Sequence, residues 1–195
     1  MSGIPYIIEK GPNNQERSYD LFSRLLKDRI VFIKGPIREG FADAVVAQLL
    51  FLESDSPTKD IYMYINSPGG LITEMYGIYD AMQYVKPDIN TMGYGQCMSA
   101  GSFLLAAGAK GKRFALPNAD IMIHELAGGA DGKYHEIKNS VKHMEVLYEK
   151  MARHYVDFTG QKLKDVKKDM ERDNFMTAQE AKDYGLIDEI QYNRE

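Results

Sequence analysis

Along the first two thirds of the chain, short apolar runs alternate with longer amphipathic stretches. Ile30-Val31-Phe32-Ile33 is too short for a helix and predicts a buried strand. Glu39 to Ser54 carries Val45, Val46, Leu49, Leu50 and Leu52 among its apolar positions and predicts a helix. Asp60 to Ile65 predicts a second strand, running into Asn66-Ser67-Pro68-Gly69-Gly70, and Leu71 to Tyr84 a second helix. Ile89 to Tyr94 predicts a third strand, ending at Gly95, with a helix from Ser99 to Ala109 behind it. Arg113 to Leu116 and Ile121 to Ile123 predict short strands, the second leading into His124. This alternation predicts an α/β fold with a parallel sheet and outer helices. Chemistry in such sheets collects just beyond the carboxyl ends of the strands. Ser67 to Gly70, Gly95 to Ser99 and His124 all fall there.

Beyond Gly128-Gly129 the period changes. Ile137, Val141, Met144, Tyr148, Met151, Tyr155 and Phe158 recur in alternating steps of four and three, a heptad stripe on one long helix. Gly160 is placed to end it. The stripe fits a helix packed on its own domain or one packed on another subunit. Lys138, Lys142, Glu145, Glu149, Lys150 and Arg153 cover its other faces, where His135, His143 and His154 are expected as solvated residues. Thr177-Ala178-Gln179-Glu180 is a capping box that opens a shorter helix.

Composition narrows the picture. A chain of 195 residues fits one domain with enough burial to fold without disulfides. Its single cysteine excludes an internal disulfide framework and fits a reducing compartment. A net charge of −4 argues against a nucleic-acid surface. No apolar stretch is long enough to cross a bilayer, and the first residues lack a secretory leader.

Among candidate chemical groups, Ser99 sits at a predicted helix start and needs a base to take its proton. His124, at a strand end, suits that role better than the three helix histidines. An orienting acid is required as well, but 28 Asp and Glu residues leave the choice open, with Asp169, Asp173, Asp183 and Asp188 in the C-terminal third. Gly69 and Gly70 can bring backbone N–H groups close to a substrate. The N–H of Ala100, at a helix start, is a second donor suited to an oxyanion. Cys97 is the rival nucleophile, or a small buried hydrophobe. The spacing misses the G-x-S-x-G elbow, because position 97 is Cys, so an α/β-hydrolase is not supported.

The segments ERSYDLFSRLLKDRIVF (16–32), YINSPGG (64–70), GQCMSAGSFLLAAGAKGKRFALPNA (95–119), MIH (122–124), TGQ (159–161) and ERDNFMTAQEAKDYGLID (171–188), in this order and spacing, resemble the ClpP family, the proteolytic subunits of the Clp protease. The resemblance implies a crotonase-like α/β fold of repeated ββα units with a protruding helical handle. It implies a single domain over 1–195: an axial N-terminal loop region at 1–18, a head at 19–129 and 161–195, and a handle at 130–160. It also implies an ATP-dependent serine endopeptidase with Ser99 as nucleophile, His124 as base and Asp173 as orienting acid. Gly70 and Ala100 match the oxyanion hole, and Gly69, Leu71, Ile72, Glu125 and Leu126 the edges that hold an extended peptide as an added strand. Leu50, Tyr62, Tyr64, Tyr84, Met92, Tyr94, Phe114 and Leu116 match the surface that receives loops of a Clp-family AAA+ unfoldase, and Arg172 a ring–ring contact.

The implied assembly is two stacked heptameric rings of this chain, alone or mixed with a paralogue, in the cytoplasm, acting on unfolded polypeptides. No metal or cofactor is implied for this chain, ATP being consumed by the partner, and neither nucleic acid nor membrane is an expected partner. The chain departs from the family's usual G-Q-A-A-S-M-G-A at Cys97, Met98 and Ala100, and from H-Q-P-L-G-G at Glu125, Leu126 and Ala127. Gln191 stands where the docking pocket is often apolar. Two other readings are a crotonase-type acyl-CoA enzyme and a weakly active or regulatory paralogue in mixed rings.

Overall fold

The structure, a computed structural model, describes residues 4–10 and 15–193. The chain enters through strands β1 (Tyr6–Lys10) and β2 (Glu16–Asp20), paired antiparallel. The turn expected at Gly11 to Asn14 lies outside the described residues. Helix α1 (Leu21–Lys27) starts where the Asp20 carboxylate accepts the Ser23 N–H at 3.0 Å.

The main sheet holds β3 (Ile30–Lys34), β4 (Ile61–Ser67), β5 (Ile89–Met98), β6 (Arg113–Ala115) and β9 (Glu189–Ile190) side by side in that order, all parallel. Helices α2 (Phe41–Asp55), α3 (Ile72–Tyr84) and α4 (Ala100–Ala106) connect them. Strand β4 alternates strictly, burying Ile61, Met63 and Ile65 and turning Tyr62 and Tyr64 outward. The buried side meets Val45, Leu49 and Leu52 of α2, Met75 and Ile78 of α3, and Phe103 to Ala106 of α4. These apolar faces lose their water together, which is the main term holding the head in one piece.

β5 outruns its expected end by four residues. Its first half pairs with β6, through Thr91, Met92 and Gly93; its second half pairs with β7 (Asp120–Ile123), through Gln96, Cys97 and Met98. An irregularity in the β4 register between Ile65 and Ser67 accompanies this change of partner. β7 in turn pairs antiparallel with β8 (Asn174–Met176). Gly95 therefore marks a change of partner inside the strand, not the end of it.

Helix α5 (Tyr134–Thr159) divides the heptad stripe in two. Met151 and Tyr155 are buried in the core cluster, whereas Ile137 and Val141 lie exposed on the opposite half, with Val146. His154 departs from the expected solvated position. Its ring stacks near Phe158 and lies 4.8 Å from Tyr79 and 5.7 Å from Phe103, centroid to centroid. It sits four residues before Phe158, hence on the same helix face. Helices α6 (Leu163–Asp169) and α7 (Ala178–Tyr184) complete the head, α7 opening on the Thr177–Glu180 capping box.

A buried arginine ties the C-terminal pieces to the sheet. Arg113 makes a two-pronged contact with Asp188, at 3.0 and 2.6 Å, and donates to the carbonyls of Phe158 and Gly185 at 3.0 and 2.9 Å. Removing one partner of such a pair leaves the rest buried and unpaired. Arg113→Met is expected to lower unfolding stability by roughly 3–5 kcal/mol, read as a shift of the urea midpoint.

Burial lowers the His154 pKa from its ordinary value of 6.5, and Lys150 adds to the shift against opposition from Asp157 and Asp80. The folded state therefore binds fewer protons at this site than the unfolded chain does. The resulting stability is complete above pH ~6.5 and is lost as pH falls from there through the depressed folded value. Unfolding stability measured between about pH 5 and pH 7 should fall less steeply in His154→Phe than in the parent.

Candidate active site

Three adjacent strand ends converge on one place. The β5–β7 register pairs Met98 with Met122, and the Ser99 N–H donates to the Met122 carbonyl at 2.9 Å. Ser99 thus leaves β5 beside the last residues of β7, and His124 follows directly. Across β7, the antiparallel register sets Ile123 opposite Asn174, so His124 and Asp173 are the next residues out on each strand. His124 Nδ1 lies 3.4 Å from Asp173 Oδ1. The imidazole is mostly enclosed, at 23% exposure, while the Asp173 carboxylate is 60% exposed. Strand pairing thus brings Asp173, one of the acids that the sequence left open, to His124 across about fifty residues of chain.

Ser99 occupies a backbone conformation that L-residues avoid, with φ 55° and ψ −121°. It forms a sharp strand-to-helix turn, β5 on one side and α4 on the other, which presents the side chain at the turn's apex. The backbone has the strained strand-to-helix form of the G-x-S-x-G turn, built without the first glycine of that motif. At the second glycine position the requirement holds: a Cβ on Gly101 would meet the Ser67 carbonyl oxygen at 2.8 Å.

Cys97 fits where the motif wants glycine because its side chain is turned into the core. It is fully buried and its thiol donates to the Ile65 carbonyl at 3.2 Å. Burial pushes its pKa up to about 12, so almost no thiolate exists at neutral pH. The cysteine is packing.

The Ser67 to Gly70 segment lies against the serine. A Cβ on Gly69 would stand 2.6 Å from the Ser99 Cβ and 3.0 Å from the Ala100 nitrogen. The Gly69 N–H is already given to the Ser67 hydroxyl at 3.1 Å, and that hydroxyl donates to the Gly35 carbonyl at 2.6 Å. A parallel bridge to Ile37 fixes the rest: Ile37 donates to the Gly69 carbonyl and Leu71 to the Ile37 carbonyl, each at 2.9 Å. The Gly70 N–H enters none of these bonds. Ala100, as the first residue of α4, has no intrahelical acceptor for its own N–H. Gly69 therefore packs on Ser99 and Ala100, and the N–H groups of Gly70 and Ala100 on either side of this contact enter none of the bonds described.

Leu71 is exposed and Ile72 half-buried on one side of this site; on the other, Glu125 is exposed and Leu126 leans on the core. Arg172 is exposed in the turn that leads into β8.

On the outer face of the main sheet, register aligns Phe32, Tyr64, Met92 and Phe114 in one row across β3, β4, β5 and β6. Tyr62, Tyr64, Met92, Phe114 and Leu116 line a cleft of 760 Å³, with Gln191 and Tyr192 on its C-terminal side. Leu50 and Tyr84 are exposed on α2 and α3, and Tyr94 is half-buried, outside this cleft.

Sequence reasoning missed Ser102 and Tyr155. Ser102 lies one turn after Ser99 on α4, and its hydroxyl is 2.8 Å from the Ser99 carbonyl and 2.7 Å from the Met122 carbonyl. Tyr155 of α5 is 3.1 Å from it, oxygen to oxygen. A serine inside a helix of otherwise apolar residues was the available signal. Among the described residues no group of three or more His, Cys, Asp or Glu side chains could hold a metal ion, and no helix is long and apolar enough to cross a membrane.

The family model described as Clp protease matches residues 13–194, which takes in every strand of the main sheet and both sides of the site.

Proposed function

Because the chain belongs to the Clp protease family, we propose that it is a serine endopeptidase subunit whose chemistry runs through Ser99, His124 and Asp173. The observation that carries the reading is the convergence of three strand ends, with Ser99 held at φ 55° against a glycine pair and a helix start. The family is a peptidase family, so the bond attacked is a peptide bond, and the mixed α/β fold is the crotonase-like one.

In this mechanism His124 takes the Ser99 proton as the hydroxyl attacks the substrate carbonyl. Asp173 keeps the imidazole oriented and stabilises its charged form. The developing oxyanion is met by the N–H groups of Gly70 and Ala100. Collapse of the tetrahedral intermediate expels the amine, protonated by His124, and leaves an acyl group on Ser99. Water then repeats the sequence and frees the acid. The peptide lies extended between the Gly69–Ile72 and Glu125–Leu126 segments, adding a strand to each.

Assembly and partner follow the same reading. The exposed half of α5, with Ile137 and Val141, joins a second ring, with Arg172 at the contact. The outer-face cleft, with Leu50, Tyr84 and Tyr94 supplied from elsewhere on the rings, receives apolar loops of a AAA+ unfoldase that feeds unfolded chains to a cytoplasmic, closed chamber.

A fluorophosphonate label on the assembled protein, mapped by peptide mass spectrometry, tests the site. Labelling at Ser99 and not at Cys97 is expected. A full-sized assembly that takes no label would displace this reading in favour of a regulatory subunit.

A further inference from the structure

The hydroxyl of Ser102 is fully buried, and so is the phenol of Tyr155, at 0% and 1% residue exposure. Two carbonyl oxygens, of Ser99 and Met122, stand within 2.8 Å of the Ser102 oxygen, and a carbonyl can only accept. The single Ser102 proton therefore goes to one of them. Tyr155 must then donate its own proton to the Ser102 oxygen, since that is the only direction left. Burial pushes the Tyr155 pKa above the usual range, which keeps that proton in place. The polar chain runs Tyr155 O–H to Ser102 O–H to backbone carbonyl, with every donor satisfied in a dry environment.

The two carbonyls it reaches matter. The Met122 oxygen also accepts the Ser99 N–H, and the Ser99 oxygen belongs to the residue whose torsions are strained. Whichever carbonyl takes the Ser102 proton, the bond holds the Ser99 turn, directly through the Ser99 carbonyl or indirectly through the strand that leads to His124. Tyr155 belongs to α5, the helix whose other half projects from the head.

We infer that Ser102 and Tyr155 are positioning residues for the hydrolytic reaction, a buried hydroxyl chain that holds the strained Ser99 turn and the His124 strand in register and ties both to the long helix α5. The inference rests on the reading of Ser99 as nucleophile. Its distinctive consequence is a defect in turnover and not in substrate affinity, because neither hydroxyl reaches the peptide-binding edges.

The test uses the assembled protein and a fluorogenic peptide amide, comparing the parent with Tyr155→Phe, Ser102→Ala, the double variant, and Met151→Ala. The last loses packing on the same face of α5 without touching the hydroxyl chain. Each of the first three should lose about tenfold in kcat, with KM within about twofold, since one buried hydrogen bond is at stake. The double variant should lose little more than either single, as members of one chain do. The fluorophosphonate labelling rate should fall in parallel, and Met151→Ala should keep parental kcat at a temperature where it is folded. Parental kcat in Tyr155→Phe and Ser102→Ala, or an equal loss in Met151→Ala, would overturn the inference while leaving the serine mechanism intact. A parent that neither cleaves the peptide nor labels at Ser99 would overturn both.

Discussion

Ser99→Ala is expected to lower hydrolysis of short peptides by a factor on the order of 10⁴ to 10⁶, with the assembly unchanged in size. The substitution removes only the hydroxyl oxygen that the proposed mechanism uses. The N–H groups of Gly70 and Ala100, and the edges at Leu71 and Leu126, stay where they are, so peptide affinity should survive the loss of turnover. A peptidase assay paired with a binding assay on the same preparation separates the two quantities. Turnover at the parental rate in the alanine variant would sink the assignment of Ser99. Equal loss of affinity and turnover would mean that the change had disturbed the groove.

Gly70→Ala should be the most damaging change that removes no functional group. A Cβ there would lie 2.0 Å from the Ile37 carbonyl oxygen, and 2.7 Å from its carbon. Both are backbone atoms of a fully buried residue, so no side chain can swing aside to relieve the overlap. The bridge must open, and with it go the bonds from Ile37 to Gly69 and from Leu71 to Ile37. The Gly70 N–H, which the proposed mechanism assigns to the oxyanion, then shifts with it. Loss of one oxyanion donor costs about 10² to 10³ in rate, so kcat should fall at least that far, together with a drop in thermal stability. The comparison is Gly111→Ala, where a Cβ would meet nothing within 4 Å although φ is +83°. That variant should be mildly destabilised and keep its activity. If Gly70→Ala matched the parent in kcat/KM, the glycine would have no part in holding the oxyanion.

The alternation of strands and helices in the first two thirds of the chain was legible because each element carries its own period. What was not legible depends on pairing between distant segments. The strand ending was placed at Gly95 because glycines punctuate sequence locally, whereas β7 keeps β5 going to Met98. Asp173 could not be singled out from residue type, since what brings it to His124 is the β7–β8 register, which sets Asn174 opposite Ile123. It entered through resemblance to a family, and the geometry brings it to His124. His154 was misplaced for a related reason. Charged neighbours at Arg153 and Lys150 suggested a wet face, but the helix turns position 154 onto the aromatic cluster of Tyr79, Phe103 and Phe158. The elbow at Ser99 was hidden because its usual first glycine is replaced by a cysteine that hides its thiol under the Ile65 carbonyl.

The φ of 55° at Ser99 has a consequence for how this protein tolerates change. A residue kept in so sparsely populated a region costs on the order of 1–3 kcal/mol, which the rest of the head must offset. With Ser99 as the nucleophile of the proposed mechanism, the most active version of this sequence is not its most stable one. Glycine at position 99 would relax the turn while removing the hydroxyl that the proposed mechanism uses, so screens for heat resistance would favour a protein without it. Selection for activity has to act continuously against that drift, and any gain in stability elsewhere in the head enlarges the room in which the strained serine can be kept.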